Sequence, residues 1–509
     1  MAYKHGVYTS EVETSMQAAQ PVDSALPFVV GCAPHCAGPA VISSWSSYCE
    51  AFGEATSATP TDRRHTLTCF AYYWFNVAGR GECVMQSIPG EDFASSAFTA
   101  SISAQDAVVH YEGSVGTVAD AAAVRAGLDG AEVTIALADS TYSVTAKKAD
   151  GSSITTIGSS TSPAAFTLNF GASAGSVTFS LKDAAGDSAG SAVFGVGVTS
   201  VSVKLFIMAN ADANGADTIA AIASINTIYE RFGRVASILC APGYCENSAV
   251  FAAMVSAVSN IGGRFKGIAL GDIPAGYFGD TAYTADEAQS HKPSTSPNAI
   301  LSWPYVGVGD YRFAGSVALC AAFNATDGQN GSLPYVSPSN KQIPATGSYI
   351  RKSGVESEVW LTREDENSKL GAYGIVGFRN TALGWVPWGD NTAAFPGNTD
   401  VKDYMIPIRR MFGYVSNMFQ IFADGRIDAP LNRRQLEGVV KSFNQILAGW
   451  IGFGALNAAT IELDAERNTT ASLLSGVVYF RIRIAPPPAM VVVEGVLEYD
   501  VSGFAASLA

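Results

Sequence analysis

The chain has 509 residues, of which 48% are hydrophobic and 15% are charged, and its formal net charge is −14. This length exceeds that of one ordinary hydrophobic core and predicts roughly two to four domains, while the composition excludes a largely disordered protein. The negative charge disfavours binding to nucleic acid or to an anionic membrane surface.

Residues 1–20 are predicted to form an extended arm. They mix aromatic, β-branched and polar side chains, including Val7, Tyr8 and Val12, without helical spacing. They lack a basic stretch followed by an apolar core, so we expect no Sec-type export signal and folding in the cytoplasm. The longest uncharged interval, 24–49, contains three prolines, so no membrane-spanning helix is expected there.

The next part of the chain predicts a discontinuous α/β domain, 21–97 and 204–383, interrupted by an inserted β domain. Between residues 98 and 203, short alternating runs separated by Gly, Ala, Ser and Thr predict a small β-sandwich or barrel. In the flanking parts, apolar periodicity predicts strands over 26–34, 235–241 and 265–270 and helices over 63–78, 217–232 and 248–261.

The C-terminal region, 384–509, is predicted to be an α+β domain that ends in a strand arm. Pro407 lies in the first turn of a predicted helix whose apolar stripe comprises Met405, Ile408, Phe412, Val415, Phe419 and Phe422. A second helix over 432–451 has an inward face of Leu436, Val440, Phe443 and Leu447 and an outward face of Arg433, Arg434, Lys441 and Asn444.

Two strands are predicted on either side of a stiff turn at 486–488. The first, 477–484, has Val478, Phe480, Ile482 and Ile484 on its inner face, and the second has Val491, Val493, Leu497 and Tyr499 on one face. Terminal strands of this kind can pair with a sheet edge in another chain. We therefore expect 1–20 and 490–500 to join sheets of neighbouring subunits, with 477–484 as the acceptor strand.

A locally basic window lies between residues 402 and 441, with seven basic and four acidic residues. Its two arginine pairs could be solvated helix faces or docking sites for an acidic protein. The candidates for such contact are Arg409, Arg410, Arg433, Arg434 and Lys441.

Catalytic and metal motifs are weak in this sequence. Residues 186–190 match the G-x-S-x-G pattern with Ser188 as nucleophile, but a strand-like run follows it, and His291 is the only histidine beyond residue 110. Cys32–Cys36 and Cys240–Cys245 lack a second pair at zinc-site spacing. Nucleotide and zinc-protease motifs are missing, so the sequence predicts no metal, no cofactor and no enzymatic activity, and 364–366 is expected to be a solvated acidic loop.

Several segments resemble the contractile tail sheath proteins of phages and phage-derived particles. They are HGVYTSEV at 5–12, PFVVGCAP at 27–34, WVPWG at 385–389, YMIPIRRMF at 404–412 and FRIRIAPPPAMVVVEGVLEY at 480–499. Many family members have a small residue, Arg and Thr after the Trp-Gly, whereas this chain has Asp390-Asn391-Thr392. A contact made by that arginine cannot be transferred to this chain, and residues 98–203 are not covered by the resemblance.

The resemblance implies a subunit that polymerises helically around a tail tube and contracts when a baseplate triggers it. Its partners would be further copies of itself, the tube protein, the baseplate and a tail terminator, in a virion tail assembled in the cytoplasm of a host bacterium. The basic window would then hold the sheath on an acidic tube. A secreted adhesin or surface-layer polymer remains an alternative, although it should have an export signal, and a serine hydrolase using Ser188 is a weaker one.

Overall fold

A computed structural model describes residues 23–33, 37–53, 66–88, 215–278, 282–353, 355–382 and 384–499, together with eight strands and their nearest turns between residues 102 and 204. The first elements are β1 (Pro27–Gly31), β2 (Ala40–Ile42), α1 (Trp45–Phe52), α2 (Thr66–Ala71), which continues as a π-helical turn over Tyr72–Val77, and β3 (Cys83–Ser87). The predicted arm residues Val7, Tyr8 and Val12 lie outside the described residues.

Eight antiparallel strands follow in the region predicted as an inserted β domain. They are β4 (Ile102–Ser103), β5 (Val109–Val115), β6 (Glu132–Ala138), β7 (Thr141–Lys147), β8 (Ser153–Ile157), β9 (Ala165–Asn169), β10 (Ser176–Asp183) and β11 (Ser200–Lys204). Their order in one sheet is β11-β6-β7-β8-β9-β10-β5-β4, and the end strands β11 and β4 come into contact, so the sheet curls towards closure. Ser188 lies outside the described residues.

The middle of the chain alternates helices and strands. Its elements are α3 (Ala216–Ile222), α4 (Ile228–Phe232), β12 (Ile238–Cys240), α5 (Ser248–Ser259), β13 (Ile268–Asp272), α6 (Ala285–Ser290), β14 (Ala299–Ser302), β15 (Tyr305–Val308), β16 (Tyr311–Phe313), α7 (Gly315–Gln329), β17 (Gly347–Lys352), β18 (Val355–Glu358), β19 (Ile375–Thr381) and β20 (Gly384–Trp388). The predicted helix over 217–232 is broken, because the 3₁₀ turn Ala223–Thr227 separates α3 from α4.

The C-terminal part consists mainly of two long helices and a hairpin. Its elements are α8 (Val401–Tyr404), α9 (Ile406–Asp424), α10 (Arg433–Phe453), β21 (Ala458–Leu463), α11 (Thr470–Leu474) and β22 (Phe480–Ala485). No helix in the described ranges is both long and apolar enough to cross a bilayer.

An eight-stranded sheet organises the molecule, in the order β2-β3-β1-β12-β13-β14-β19-β20. The six inner strands run parallel, and β2 and β20 are antiparallel edges. Parallel strands covered on both faces read as continuous apolar runs, and β1 follows this rule, since Val29 faces one core and Phe28 and Val30 face the other. The predicted α/β and α+β multidomain fold class is confirmed.

The domain boundary predicted at Gly384 coincides with the start of a strand in the main sheet. Gly384 begins β20, which forms a hairpin with β19 inside the main sheet. Side chains of α9 and α10, such as Met411 and Phe443, pack in the same core as Phe251 of α5. The C-terminal helices therefore complete one layer of the α/β domain, because their apolar faces cover the second face of its sheet.

Helix α9 begins as predicted, with Pro407 in its first turn. Its most buried line includes Met411, Val415, Met418 and Phe422, whereas Phe412 and Phe419 of the predicted stripe are only half-buried. The buried face therefore overlaps the predicted stripe at Val415 and Phe422 but is turned towards Met411 and Met418.

A buried ion pair joins α9 to α7. Both Nη atoms of Arg410 donate to the Asp327 carboxylate, at 2.9 and 2.6 Å, and Nη2 also donates to the Ser24 carbonyl oxygen at 3.1 Å. Both side chains of the pair are at most 3% exposed. The pair thus connects the start of the described chain with two helices that are distant in sequence.

A second buried carboxylate, Asp272, lies at the carboxyl end of β13. Its oxygens accept hydrogen bonds from Ser316 N (2.6 Å), Ser302 Oγ (3.0 Å) and Cys245 Sγ (3.3 Å). Burial raises the pKa of Asp272 above its usual range and the pKa of Cys240 and Cys245 well above theirs. The thiols are therefore neutral donors within the core, and no group of three or more metal-ligating side chains is present in the described residues.

The acidic run 364–366 is not the solvated loop that its composition predicts. Glu366 is buried in a π-helical turn, Asp365–Leu370, and accepts a hydrogen bond from Arg379 Nη1 at 2.8 Å. Arg379 in turn lies 3.8 Å from the centre of the Trp388 ring. A buried carboxylate requires such a partner, and this one is supplied by the next strand.

Substitution Arg410→Ala is expected to lower the free energy of unfolding by about 3–5 kcal/mol, because it leaves Asp327 as an unpaired buried charge. The exposed Arg434→Ala should change it by no more than about 0.5 kcal/mol. The double substitution Arg410→Met with Asp327→Leu should cost less than Arg410→Ala alone, since no charge stays buried. Chemical denaturation followed by tryptophan fluorescence measures all three, and equal stability of the two single variants would contradict a structural role for the pair.

Candidate intersubunit interface

The C-terminal hairpin is a two-stranded sheet resting on the long helices. Strand β21 pairs antiparallel with β22 from Ala458 opposite Ala485 to Leu463 opposite Phe480. Phe480, Ile482 and Ile484 are half-buried against the core, and the Phe480 ring packs at 5.8 Å from that of Phe419. The strand predicted over 477–484 is therefore present, although it begins at Phe480, so that Val478 precedes it; its role as an acceptor stays a prediction.

The opposite face of the hairpin is charged. Arg481 contacts Asp464 at 3.0 Å and Glu466 at 3.2 Å, and Arg483 contacts Glu462 at 2.8 Å. Asp464 is only 8% exposed, whereas the other groups are at least 39% exposed, so the pairs of Arg481 with Glu466 and of Arg483 with Glu462 contribute little to stability. They keep one face of the sheet hydrated while the other face packs inward.

Asn444 fastens the outer edge of β21 to α10. Its Nδ2 donates to the Ile461 carbonyl oxygen and its Oδ1 accepts from the Ile461 N–H, both at 3.0 Å. Asn444 was predicted to point outward with the charged residues, and this prediction is wrong because the amide can satisfy both main-chain groups of one strand residue.

The outer edge of β22 is open. Antiparallel residues alternate between pointing their N–H and C=O groups towards the partner strand and away from it. Since Ile461 directs both groups to Asn444, the opposite residue, Ile482, directs its own away from β21, as do Phe480 and Ile484. Within the described chain β22 pairs with β21 alone, so these main-chain groups are available to another strand.

A segment that could fill such an edge follows directly. After Pro486, which is buried, residues 487–499 form neither helix nor strand with the rest of the described chain. Ala489 N donates to Met405 Sδ at 3.4 Å, and beyond that point the apolar side chains face solvent. Seven apolar residues in this segment are each at least 65% exposed: Met490, Val491, Val492, Val493, Val496, Leu497 and Tyr499.

The predicted last strand is therefore absent from the single subunit, although its sequence has β-branched residues and alternation. A strand exists only when another strand accepts its main-chain hydrogen bonds, and this segment pairs with no strand of the described residues. Apolar residues exposed in a continuous run mark an interaction surface. We call residues 489–499 the C-terminal arm.

The five basic candidates occupy different environments. Arg410 is buried with Asp327 and cannot face an acidic partner, so its prediction as a contact residue is wrong. Arg409 is partly buried and donates to Asn298 Oδ1 at 2.9 and 2.7 Å. Burial lowers the pKa of Arg409 below its usual value, whereas the nearby Asp403 opposes this shift.

The other three basic candidates lie on the exposed side of α10. Arg433 is paired with Glu437 at 2.6 Å, and this hydrogen bond raises the pKa of its guanidinium. Arg434 and Lys441 are seven positions apart, on one face of the helix, and neither takes part in an ion pair with the described residues. They are the basic groups best placed to meet another protein.

The sequence is similar to that of a known phage protein. The tail sheath protein of Burkholderia phage BcepMu is 25% identical over 287 residues, which are 54% of this chain and 57% of that relative. The matched part is thus less than two thirds of the relative's length. No protein-family model matches the chain.

Two solved structures align along almost the whole chain. The PVC sheath complex of an extracellular contractile injection system, in its contracted state, covers 99% of both chains with a TM-score of 0.55 at 13% identity. The contracted helical sheath of the anti-feeding prophage covers 97% of this chain and 98% of that chain, with a TM-score of 0.53 at 14% identity. This chain has the fold of a contractile sheath protein. The resemblance inferred from its sequence is confirmed.

Within the sheath fold, sequence reasoning missed the two polar residues that fix the C-terminal elements, Arg410 and Asn444. A signal for Arg410 was present, since it lies one helical turn from Pro407 and Tyr414, on the buried side of α9. No comparable signal marks Asn444, because its partner Ile461 is on a later strand. His291, the histidine required by the hydrolase alternative, is an exposed residue at the end of α6.

Substitution Asn444→Ala is expected to destabilise the hairpin by about 1–3 kcal/mol, because two main-chain groups of Ile461 lose their partner. Amide hydrogen exchange of β21 and β22 should accelerate, while exchange in β1 and β12 stays unchanged. The neighbouring exposed Gln445→Ala is the matched control and should have no effect. Unaltered exchange at Ile461 in Asn444→Ala would show that the amide does not secure the strand.

Proposed function

We propose that this chain is the structural subunit of a contractile tail sheath, which polymerises helically around a tail tube and contracts to drive the tube through a cell envelope. The observation that supports this most directly is the C-terminal arm, a run of exposed apolar residues that forms no strand with the described part of the chain, together with the open edge of β22 in the same subunit. Each subunit would offer one strand and accept another.

Donation of the arm to a neighbour explains both features at once. The donor and acceptor are different surfaces, so the contact is heterologous, and its repetition builds rings or helices instead of closed dimers. Main-chain hydrogen bonds would complete the sheet, and burial of an exposed valine would contribute up to about 1.5–3 kcal/mol for each residue fully buried. Residues 1–20, with Val7, Tyr8 and Val12, would form a second link of the same kind.

The sheath reading assigns no catalysis to the chain. The work of contraction would come from lateral contacts formed between subunits as they move as rigid bodies, released from an extended lattice that is kinetically trapped. The particle would be a phage tail or a related injection device, assembled in the bacterial cytoplasm with tube, baseplate and terminator proteins. The exposed residues Arg434 and Lys441, together with Arg433, would face an acidic tube. Arg409 lies towards the other end of the helix pair, since Tyr414 packs against Trp450 and Phe422 against Phe443.

Substitution of Val491 and Val493 by proline is expected to abolish polymerisation, because proline removes the N–H donors that an added strand requires. The subunit itself should remain folded, since both positions are exposed and unpaired. Negative-stain microscopy counts tubes, and circular dichroism with thermal melting checks the fold.

The matched control for this experiment is Val491→Thr with Val493→Thr. It keeps the main-chain donors and the β-branched shape, so tubes should still form, at reduced affinity. Abundant tubes from the proline variant would refute strand donation by the arm and remove the main support for the proposed function.

Charge reversal by Arg434→Glu with Lys441→Glu is expected to prevent assembly around tubes while leaving tube-free polymers intact, because the attraction to an acidic tube becomes repulsion. The wild-type association should weaken as salt rises. Co-sedimentation of sheath with purified tubes measures the effect, and the exposed Arg231→Glu is the control. Equal decoration by the reversed variant would exclude these residues from the tube contact.

A further inference from the structure

The start of the described chain is held by side chains from several distant segments. Ser24 Oγ donates to Asp327 Oδ2 at 2.7 Å, and the Ser24 carbonyl oxygen accepts from Ser237 Oγ at 2.8 Å and Arg410 Nη2 at 3.1 Å. Asp23 accepts from Arg234 Nη1 at 2.7 Å. We call residues 23–26 the N-terminal root.

The N-terminal root has further hydrogen bonds and leads directly into the centre of the sheet. Asn324 Nδ2 donates to the Ala25 carbonyl oxygen at 3.3 Å, and the Leu26 carbonyl oxygen accepts from Ser237 N at 3.1 Å, a bond that Ile238 N shares at 3.3 Å. Strand β1 begins at the next residue, pairs with β3 on one side and β12 on the other, and is buried along its whole length. Withdrawal of the root would require opening of both cores.

The attachment of the C-terminal arm is much lighter. The arm continues from β22, which has one strand neighbour and is only half-buried. Beyond Pro486, the one hydrogen bond in the described chain that holds the base of the arm is Ala489 N to Met405 Sδ. Strands at the edge of a small sheet open at lower free energy than strands in a core.

We propose that the two links of the subunit are mechanically unequal: the N-terminal root is the anchor that takes tension between subunits, and the C-terminal arm is the link that yields. The positioning residues of the N-terminal root transfer a pull on residues 1–22 to the main core. They are Asp23, Ser24, Arg234, Asp327 and Arg410. This inference rests on the proposed function for the origin of the tension. The inequality itself is a property of one folded subunit.

Inequality of this kind suits a lattice whose subunits must move relative to each other without separating. A pull through the N-terminal root is shared between an ion pair, several hydrogen bonds and an interior strand. A pull through the arm acts on an edge strand and can peel the hairpin from α10, which lets adjacent subunits reorient. The strong link then preserves connectivity while the weak link adapts.

Single-molecule pulling on the full-length chain tests the inequality. One handle is fixed at position 231, on an exposed side chain of α4, and the second is placed at the N-terminus or the C-terminus. The first rupture should occur at higher force through the N-terminus than through the C-terminus. Equal forces, or the reverse order, would overturn the inference whether or not the protein forms sheaths.

The positioning residues are tested by Asp23→Ala with Ser24→Ala, which removes root contacts while Arg410 stays paired with Asp327. The N-terminal rupture force should fall, and the C-terminal one should not. The control Arg483→Ala with Glu462→Ala removes an ion pair from the hairpin and should leave the N-terminal force unchanged. An unchanged N-terminal force in the root variant would also overturn the inference.

The same variants in assembled sheaths connect the root to function. During contraction, sheaths of the root variant should break into pieces that are shorter than contracted wild-type sheaths, because their subunits separate. Extended sheaths of the variant should have the wild-type length, and microscopy measures both. Intact contracted sheaths from a root variant with lowered rupture force would show that tension does not pass through the root. Absence of wild-type sheaths would instead refute the proposed function and leave the pulling result standing.

Discussion

The structure depends on one small β-sheet, formed by β21 and β22, that a single subunit cannot complete. Strand β22 pairs with β21 on one edge and is open on the other among the described residues, and the segment that follows it alternates like a strand but pairs with none of them. Both defects would be costly in a protein meant to remain monomeric, since open edges and exposed apolar runs promote association. Here they occur beside each other, which is why assembly explains them better than any pocket or titrating group does.

The remainder of the chain holds this unfinished hairpin in place when no external force acts on the subunit. The parallel sheet supplies a core on each face, and α9 and α10 close one of these cores while supporting the hairpin on their outer side. Polar contacts connect these elements. Arg410 and Asp327 form an ion pair between two helices, and Asn444 is hydrogen-bonded to Ile461 between a helix and a strand. The incomplete sheet is thereby presented at a fixed position relative to the main domain.

Sequence reasoning performed well where local pattern determines structure. The apolar run of β1, the proline at the start of α9 and the alternation in β22 each follow from a period or a single residue's geometry. It failed where a polar side chain finds a distant partner. The sequence around Arg410 is typical of an exposed helix face, but the side chain is buried with Asp327, which is 83 positions away. Glu366 is likewise buried and paired with Arg379 of the following strand. The packing of α9 and α10 against the main sheet was not predicted for a related reason, because helices that follow a sheet in sequence can still cover its face.

The open edge of β22 also determines how a polymer of this chain would grow and stop. At one end of any assembly an acceptor edge remains vacant, and at the other end arms remain unused, so every end is as reactive as the free protein. Strand donation between subunits therefore does not by itself set the length of the polymer. Length must be imposed from outside, by a template of fixed extent or by a different molecule that occupies the final edge without offering a new one.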